Sequence, residues 1–346
     1  MRNPPLATRP RLGSSSGSDL LRELTTRVVG QPQALTQIVP YVQMYQAGLS
    51  PEGRPAGVFL LLGPTGTGKT RTVEALADVL HGREKHMLKV DCGEFQMEHE
   101  VAKLIGAPPG YLGHRETPPM LTQQKLGSVT SEACDLSLVL LDEIEKAAPS
   151  MTRLLMGVLD KAVLRLGDNA SVNFERTMIF LTSNLGAREM HQHLRPGFGF
   201  EAVVAGGAAA APGVAIHKLH HIGMGAVRRH FAPEFVNRID TVLTYQPLGA
   251  EALAEIVDLQ IEALELHIET RLADRAFELD VSPAARQFLL DKGTSSEYGA
   301  RELKRTILRE LTQPLAAMVA NDEVPPECTV CVDLADDAGR LLIEVI

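Results

Sequence analysis

Residues 63–70 read Gly-Pro-Thr-Gly-Thr-Gly-Lys-Thr, the spacing G-x-x-x-x-G-K-[ST] that lets a chain wrap around phosphates. Gly63, Gly66 and Gly68, with Pro64, Thr65 and Thr67 between them, allow the main chain to curl so that N–H groups face phosphate oxygens. The N-terminus of a following helix adds positive partial charge. Lys69 would pair with phosphate oxygens, and the Thr70 hydroxyl would ligate Mg²⁺. The competing reading is an ordinary glycine-rich turn, and the pattern arises by chance in on the order of one chain per hundred of this length. A second element lies downstream, where Leu138-Val139-Leu140-Leu141 runs into Asp142-Glu143. Asp142 would bind the ion, largely through water, and Glu143 would orient and polarise an attacking water. An apolar run ending in Asp-Glu is weak evidence alone. Paired with the phosphate loop, it points to ATP hydrolysis.

These residues need a scaffold that brings separate strand ends together. Residues 57–62 are a short apolar run, as expected for a buried parallel strand, and residues 70–81 read as the helix after the loop. Helices are expected at 20–27 and 32–48 around the turn Val28-Val29-Gly30-Gln31, and further strands at 86–90, 136–141 and 177–182. Strands alternating with helices imply an α/β domain: a doubly wound parallel sheet with helices on both faces. Residues 195–216, rich in Gly, Ala and Pro, read as a long flexible loop. Beyond Pro247 the character changes. Leu253, Ile256, Val257, Ile261, Leu264, Ile268 and Leu272 recur at helical spacing, Ser282-Pro283 looks like a helix start, and Leu303, Ile307 and Leu311 mark another amphipathic helix. Val330, Val332 and Leu334 alternate and could pair with 341–346. The expected organisation is a flexible leader (1–24), a large α/β domain (25–246) and a small, mostly helical C-terminal domain with a terminal β-hairpin (247–346).

Composition narrows the function. The 346 residues allow about two structural units, and 45% hydrophobic with 22% charged residues excludes wholesale disorder. With 4% aromatics and no Trp, stacking on bases or sugars is not the main chemistry. The net charge of −9 is uneven: residues 247–346 carry 20 acidic and 9 basic side chains, a net of −11. A net acid with no basic stripe argues against a nucleic-acid partner, and the step in charge suggests two units with different surfaces. Four cysteines are too few for a disulfide framework. Cys328-Thr-Val-Cys331 reads as small buried side chains rather than half a zinc or redox site. Six of the eleven histidines fall between His191 and His230. His217, His220 and His221 could share a helical face, but no carboxylate or thiolate accompanies them, so exposed histidines are expected rather than a metal site. No apolar stretch reaches the roughly 20 residues of a membrane span, and no secretory signal is visible. A cytoplasmic protein with no membrane partner is expected.

Several runs, in this order, resemble the second ATPase module of Clp-type AAA+ unfoldases and disaggregases: VDCGEFQMEHEVAKLIGAPPGYLG (90–113), LVLLDEIEKA (138–147), FLTSNLGA (180–187), PEFVNRID (233–240) and YGARELKR (298–305). The resemblance covers roughly residues 25–346. It implies an AAA+ large domain with a helical C-terminal lid, ATP and Mg²⁺ as cofactors, and a homo-oligomer, a hexameric ring, that threads polypeptide substrates through its pore. Position by position, it implies that Val28 and Val29 contact adenine and that Asn184 holds the attacking water with Glu143. Arg238 becomes the arginine finger reaching a neighbour's ATP, and Arg301 a second sensor from the lid. Gly110-Tyr111-Leu112-Gly113 resembles the pore loop that grips an extended chain; without the resemblance, a buried or turn-flanking tyrosine would be the better reading. Phe198-Gly199-Phe200 lies where relatives carry a tripeptide that docks a Clp-type peptidase, with phenylalanine in place of an aliphatic residue. With only residues 1–24 ahead of the module, a single ring is expected. Two other functions stay open: an AAA+ ATPase acting on nucleic acid or transcription machinery, and a nucleotide-gated assembly scaffold.

Overall fold

Residues Gly57–Leu62 are buried along their whole length, as a central strand covered on both faces must be. The computed structural model describes residues 17–106, 118–194, 212–294, 299–335 and 339–346. These form two compact units, the first running up to Gln246, the second from Pro247 to Ile346 and also taking in Thr65–Thr67.

The first unit contains, in chain order, α1 (Gly17–Arg27), α2 (Pro32–Gln46), β1 (Gly57–Leu62), α3 (Lys69–His81), β2 (Leu88–Asp91), α4 (Val101–Ile105), α5 (Gln123–Ser128), β3 (Ser137–Asp142), α6 (Pro149–Lys161), β4 (Val163–Arg165), β5 (Ser171–Asn173), β6 (Thr177–Ser183), α7 (Ala187–Leu194), α8 (Pro212–His230), α9 (Pro233–Val236) and β7 (Thr241–Thr244). Five strands make one sheet in the order β2-β3-β6-β1-β7, and every neighbouring pair is parallel. Successive side chains point to opposite faces of a strand. Val58, Leu60 and Leu62 therefore enter one core with Val139, Leu141, Ile179 and Leu181. Phe59 and Leu61 enter the other with Leu138, Leu140 and Phe180. Phe59 and Phe180 are register partners, and their rings stack at 5.1 Å. Both faces are thus covered, as the doubly wound reading requires. Strand β7 went unread because its four residues, Thr-Val-Leu-Thr, lack a long apolar run.

Two expectations about chain ends and loops are corrected. Residues 17–24 belong to α1, because Leu20 and Leu24 are buried against the first unit, so they are not part of a flexible leader. Residues 212–216 open α8 rather than ending a loop; the remainder of the expected loop lies outside the described residues. In α8, His217 and His221 are exposed, whereas His220 is half-buried with Nδ1 2.9 Å from Thr244 Oγ1. No group of three or more His, Cys, Asp or Glu among the described residues is placed to hold a metal ion. Among the same residues, no helix is long and apolar enough to cross a membrane.

The second unit contains α10 (Ala250–Leu272), β8 (Glu278–Val281), α11 (Pro283–Gly293), α12 (Ala300–Ile307), α13 (Gln313–Ala320), β9 (Thr329–Leu334) and β10 (Leu341–Val345). Ser282 Oγ accepts the Ala285 N–H at 3.1 Å, capping α11 ahead of its first-turn proline. Strands β9 and β10 form the antiparallel hairpin. A third strand, β8, pairs parallel with β9, so the terminal element is a small sheet rather than a hairpin alone. Cys328 and Cys331 are half-exposed rather than buried.

Burial of His81 at the end of α3 makes folding sensitive to acid. Its Nδ1 lies 3.1 Å from Ser131 Oγ. Burial, reinforced by nearby His86, pushes its pKa down from 6.5 to about 4. The unfolded chain therefore takes up this proton first. The stability held by neutral His81 is complete above pH ~6.5 and falls toward pH ~4, with a slope approaching about 1.4 kcal/mol per pH unit. Urea unfolding across this range should show a shallower decline for His81→Gln than for the wild type. An identical decline in both would exclude His81 as the cause.

Candidate functional site

The phosphate loop leaves β1 at a crowded point. The Gly63 N–H donates to Ser183 O at 3.2 Å, and a Cβ at residue 63 would lie 2.5 Å from the Tyr245 carbonyl oxygen. Glycine is therefore required by the close approach of the backbone just after β7. Tyr245 is anchored in turn, its N–H donating to Leu62 O at 2.7 Å and its hydroxyl to Thr72 Oγ1 at 2.8 Å. Gly68 is different. A Cβ there would meet nothing within 4 Å, but its φ of +100° disfavours any side chain.

Lys69 opens α3 and is only 8% exposed. Its ammonium donates to Gly63 O at 2.6 Å, Pro64 O at 2.7 Å and Asn184 Oδ1 at 2.9 Å. Asn184 follows the end of β6 and works in two more directions. Its Nδ2 donates to Glu143 Oε1 at 3.3 Å, and its N–H donates to Glu145 Oε1 at 2.9 Å. At the end of β3, Asp142 Oδ2 lies 2.9 Å from Lys89 Nζ, while Oδ1 accepts a hydrogen bond from Thr182 Oγ1 at 2.5 Å. Burial alone would raise the Asp142 pKa. The Thr182 hydrogen bond, Lys89 and Lys69 outweigh it and hold the carboxyl below its ordinary value, so it stays anionic. Glu143 takes a left-handed backbone conformation, φ +56°. Its N–H donates to Thr182 Oγ1 at 3.0 Å, and Oε2 accepts from Lys146 Nζ at 2.5 Å, which raises the Lys146 pKa. Cys92 is buried nearby. Burial, with Asp142, Asp91, Glu145 and Glu143 around it, pushes its thiol pKa up, so it is no nucleophile.

Lys69, Asp142, Glu143 and Asn184 thus converge at the C-terminal ends of β1, β3 and β6, where open α/β sheets bind ligands. Thr70 is half-buried in the first turn of α3. Four participants escaped the reading of the sequence: Lys89, Glu145, Lys146 and Thr182. Glu145 and Lys146 follow the Asp-Glu pair with Ile144 between, and Thr182 stands two places before Asn184, so for these three proximity to the motifs was the available signal.

The other expected residues have surroundings of their own. Val28 is buried beside Leu24 and Leu35, and Val29 is half-buried. The Gln31 side-chain amide grips the Gln246 backbone, donating to its carbonyl at 2.8 Å and accepting its N–H at 3.3 Å. Arg238 donates to Glu234 O and pairs with Asp160 at 3.7 Å. Arg301 is exposed in the first turn of α12. Gly110-Tyr111-Leu112-Gly113 and Phe198-Gly199-Phe200 lie outside the described residues.

The donor set fits a nucleoside triphosphate with a hard divalent cation. It offers a buried ammonium at a glycine-rich turn, a helix N-terminus, a hydroxyl at Thr70 and an anionic carboxylate at Asp142.

Comparison with known proteins agrees with this geometry. Residues 54–242 match the family model of the AAA domain (Cdc48 subfamily), and residues 248–332 match that of the C-terminal, D2-small domain of ClpB protein. The chaperone protein ClpB of Meiothermus ruber is 38% identical over 305 residues, covering 87% of this chain and 32% of that protein. ClpB of Pseudomonas putida is 38% identical over 317 residues, covering 91% and 33%. The chain therefore spans about a third of the length of these curated relatives. Among solved structures, closed-state Hsp104 with ATPγS and FITC casein superposes with a TM-score of 0.76 at 29% identity. The extended S. cerevisiae Hsp104:casein complex gives 0.78 at the same identity, and each match covers 96% of this chain and 53% of the other. With more than half of its residues inside the first family model, and the D2-small model following directly, the chain belongs to the AAA family as a Clp-type AAA+ second ATPase module.

Proposed function

We propose that this chain hydrolyses ATP and uses the energy to thread polypeptide through the pore of a homo-hexameric ring in the cytoplasm. The observation that carries the reading is the bridge from Lys69 through Asn184 to Glu143. It connects the phosphate-binding ammonium to the carboxylate that would polarise water. The two solved relatives are named as complexes with casein, a polypeptide.

In this reading the backbone of residues 63–68 and Lys69 hold the phosphates, Val28 and Val29 flank the base, and Thr70 and Asp142 hold Mg²⁺. The bound ion supplies neutralisation of the phosphate charge. Glu143 orients the attacking water and accepts its proton, and Asn184 fixes the carboxylate through Oε1. Arg238 acts in trans on a neighbour's nucleotide and Arg301 from the second unit, adding cations where charge develops. Tyr111 grips the extended substrate with an amphipathic ring that suits any side chain.

Three measurements test it. Glu143→Gln should keep ATP binding while hydrolysis falls by about 10²-fold or more; wild-type hydrolysis would remove Glu143 from the reaction. Specific ATPase activity should rise with protein concentration as rings form, and Arg238→Ala should abolish that rise at every concentration. Tyr111→Ala should retain ATPase activity and lose unfolding of a tagged fluorescent substrate, and full unfolding by this variant would refute threading.

A further inference from the structure

The side chain of Thr182 stands at the point where the β3–β6 ladder stops. The last backbone rung pairs Leu141 with Leu181, so Asp142 and Thr182 face each other one step beyond it. Thr182 is 1% exposed. Its single hydroxyl proton goes to Asp142 Oδ1, and its lone pair accepts the Glu143 N–H at 3.0 Å. A hydroxyl has one proton to give, so this pairing has one polarity: it donates to the anionic carboxylate and accepts from the amide. Glu143 sits at φ +56°, a conformation that side-chain-bearing residues adopt only when their surroundings hold them there.

Resting on the ATPase reading above, we propose that Thr182 is a positioning residue that sets the metal-binding and water-polarising carboxylates together. It aims the Asp142 carboxylate by a hydrogen bond and holds the backbone turn that presents Glu143. Asn184 does something different, since it touches the Glu143 carboxylate itself. Removing the hydroxyl takes from the half-buried Glu143 N–H its acceptor and from the Asp142 carboxylate one of the two bonds that aim it, the other being to Lys89. The aim of both carboxylates then loosens at once, while Lys69 keeps its bonds to Gly63, Pro64 and Asn184.

The test compares Thr182→Val, which keeps the shape, with Thr182→Ser, which keeps the hydroxyl. Equilibrium binding of a fluorescent ATP analogue is measured with and without Mg²⁺, alongside ATPase kinetics. Thr182→Val should bind the analogue normally without Mg²⁺ and lose several-fold of the affinity that Mg²⁺ adds. Its kcat should fall by about 10- to 100-fold, with KM for Mg²⁺–ATP rising only by the several-fold loss of Mg²⁺-dependent affinity, and Thr182→Ser should restore both readouts. Wild-type Mg²⁺ dependence and kcat in Thr182→Val would overturn the proposal. So would a Thr182→Ser variant as impaired as Thr182→Val, because packing of the methyl group would then be the cause. If Thr182→Val does not fold, Thr182→Cys replaces it as a weak donor of similar bulk, with the same two outcomes. An unaltered chain that binds and hydrolyses no ATP would refute the ATPase reading itself, and the proposal with it.

Discussion

The charge on Lys69 is the constraint from which the site follows. An ammonium this deeply buried would cost several kcal/mol if left unpaired. Three oxygens satisfy it, two from the turn after β1 and one from Asn184 beyond β6. The phosphate loop and the end of β6 therefore share a single cation. Oxygens of a phosphate offer the same chemistry as those three acceptors, so a ligand could take their place on Lys69. Asn184 is the group through which such an exchange would be felt, because it also binds Glu143 and Glu145.

This arrangement needs strand ends that do not move relative to one another. The sheet supplies that rigidity through its two cores. Strand β1 is buried along its length between β6 and β7, and the Phe59–Phe180 stack joins β1 to β6 across the rung they share. Side chains placed on well-packed strands are held more tightly than those on loops. The Gly63–Tyr245 approach extends this bracing into the loop, since the Tyr245 hydroxyl is fixed by Thr72 on the very helix that the loop begins.

At the ends of β3 and β6, side chains continue the pairing that the backbone gives up. Thr182 meets Asp142 and Glu143, and Asn184 meets Glu143 and Glu145. Lys89 and Lys146 flank the carboxylates with positive charge. Four carboxylates close to Cys92 would repel one another without these donors, and the donors keep Asp142 anionic in a half-buried place.

The sequence alone determined the parts whose chemistry is local. The glycine spacing, Lys69-Thr70 and the apolar run ending in Asp142-Glu143 are contiguous, so their residue types carry the signal directly. The same holds for the long helical period of α10 and the Ser282 cap. Short or weakly apolar pieces were not legible: β7 and β8 have four residues each, and they are strands because neighbours offer them a ladder. Residues 17–24 are held in α1 by the burial of Leu20 and Leu24. Only the tertiary structure decided that Thr182, Lys89, Glu145 and Lys146 join the site. A threonine in a strand is ordinary in sequence, and its role arises from which strand lies beside it. Strand order is a non-local property, set by how two cores pack against one sheet, and it places residue 182 beside residue 142.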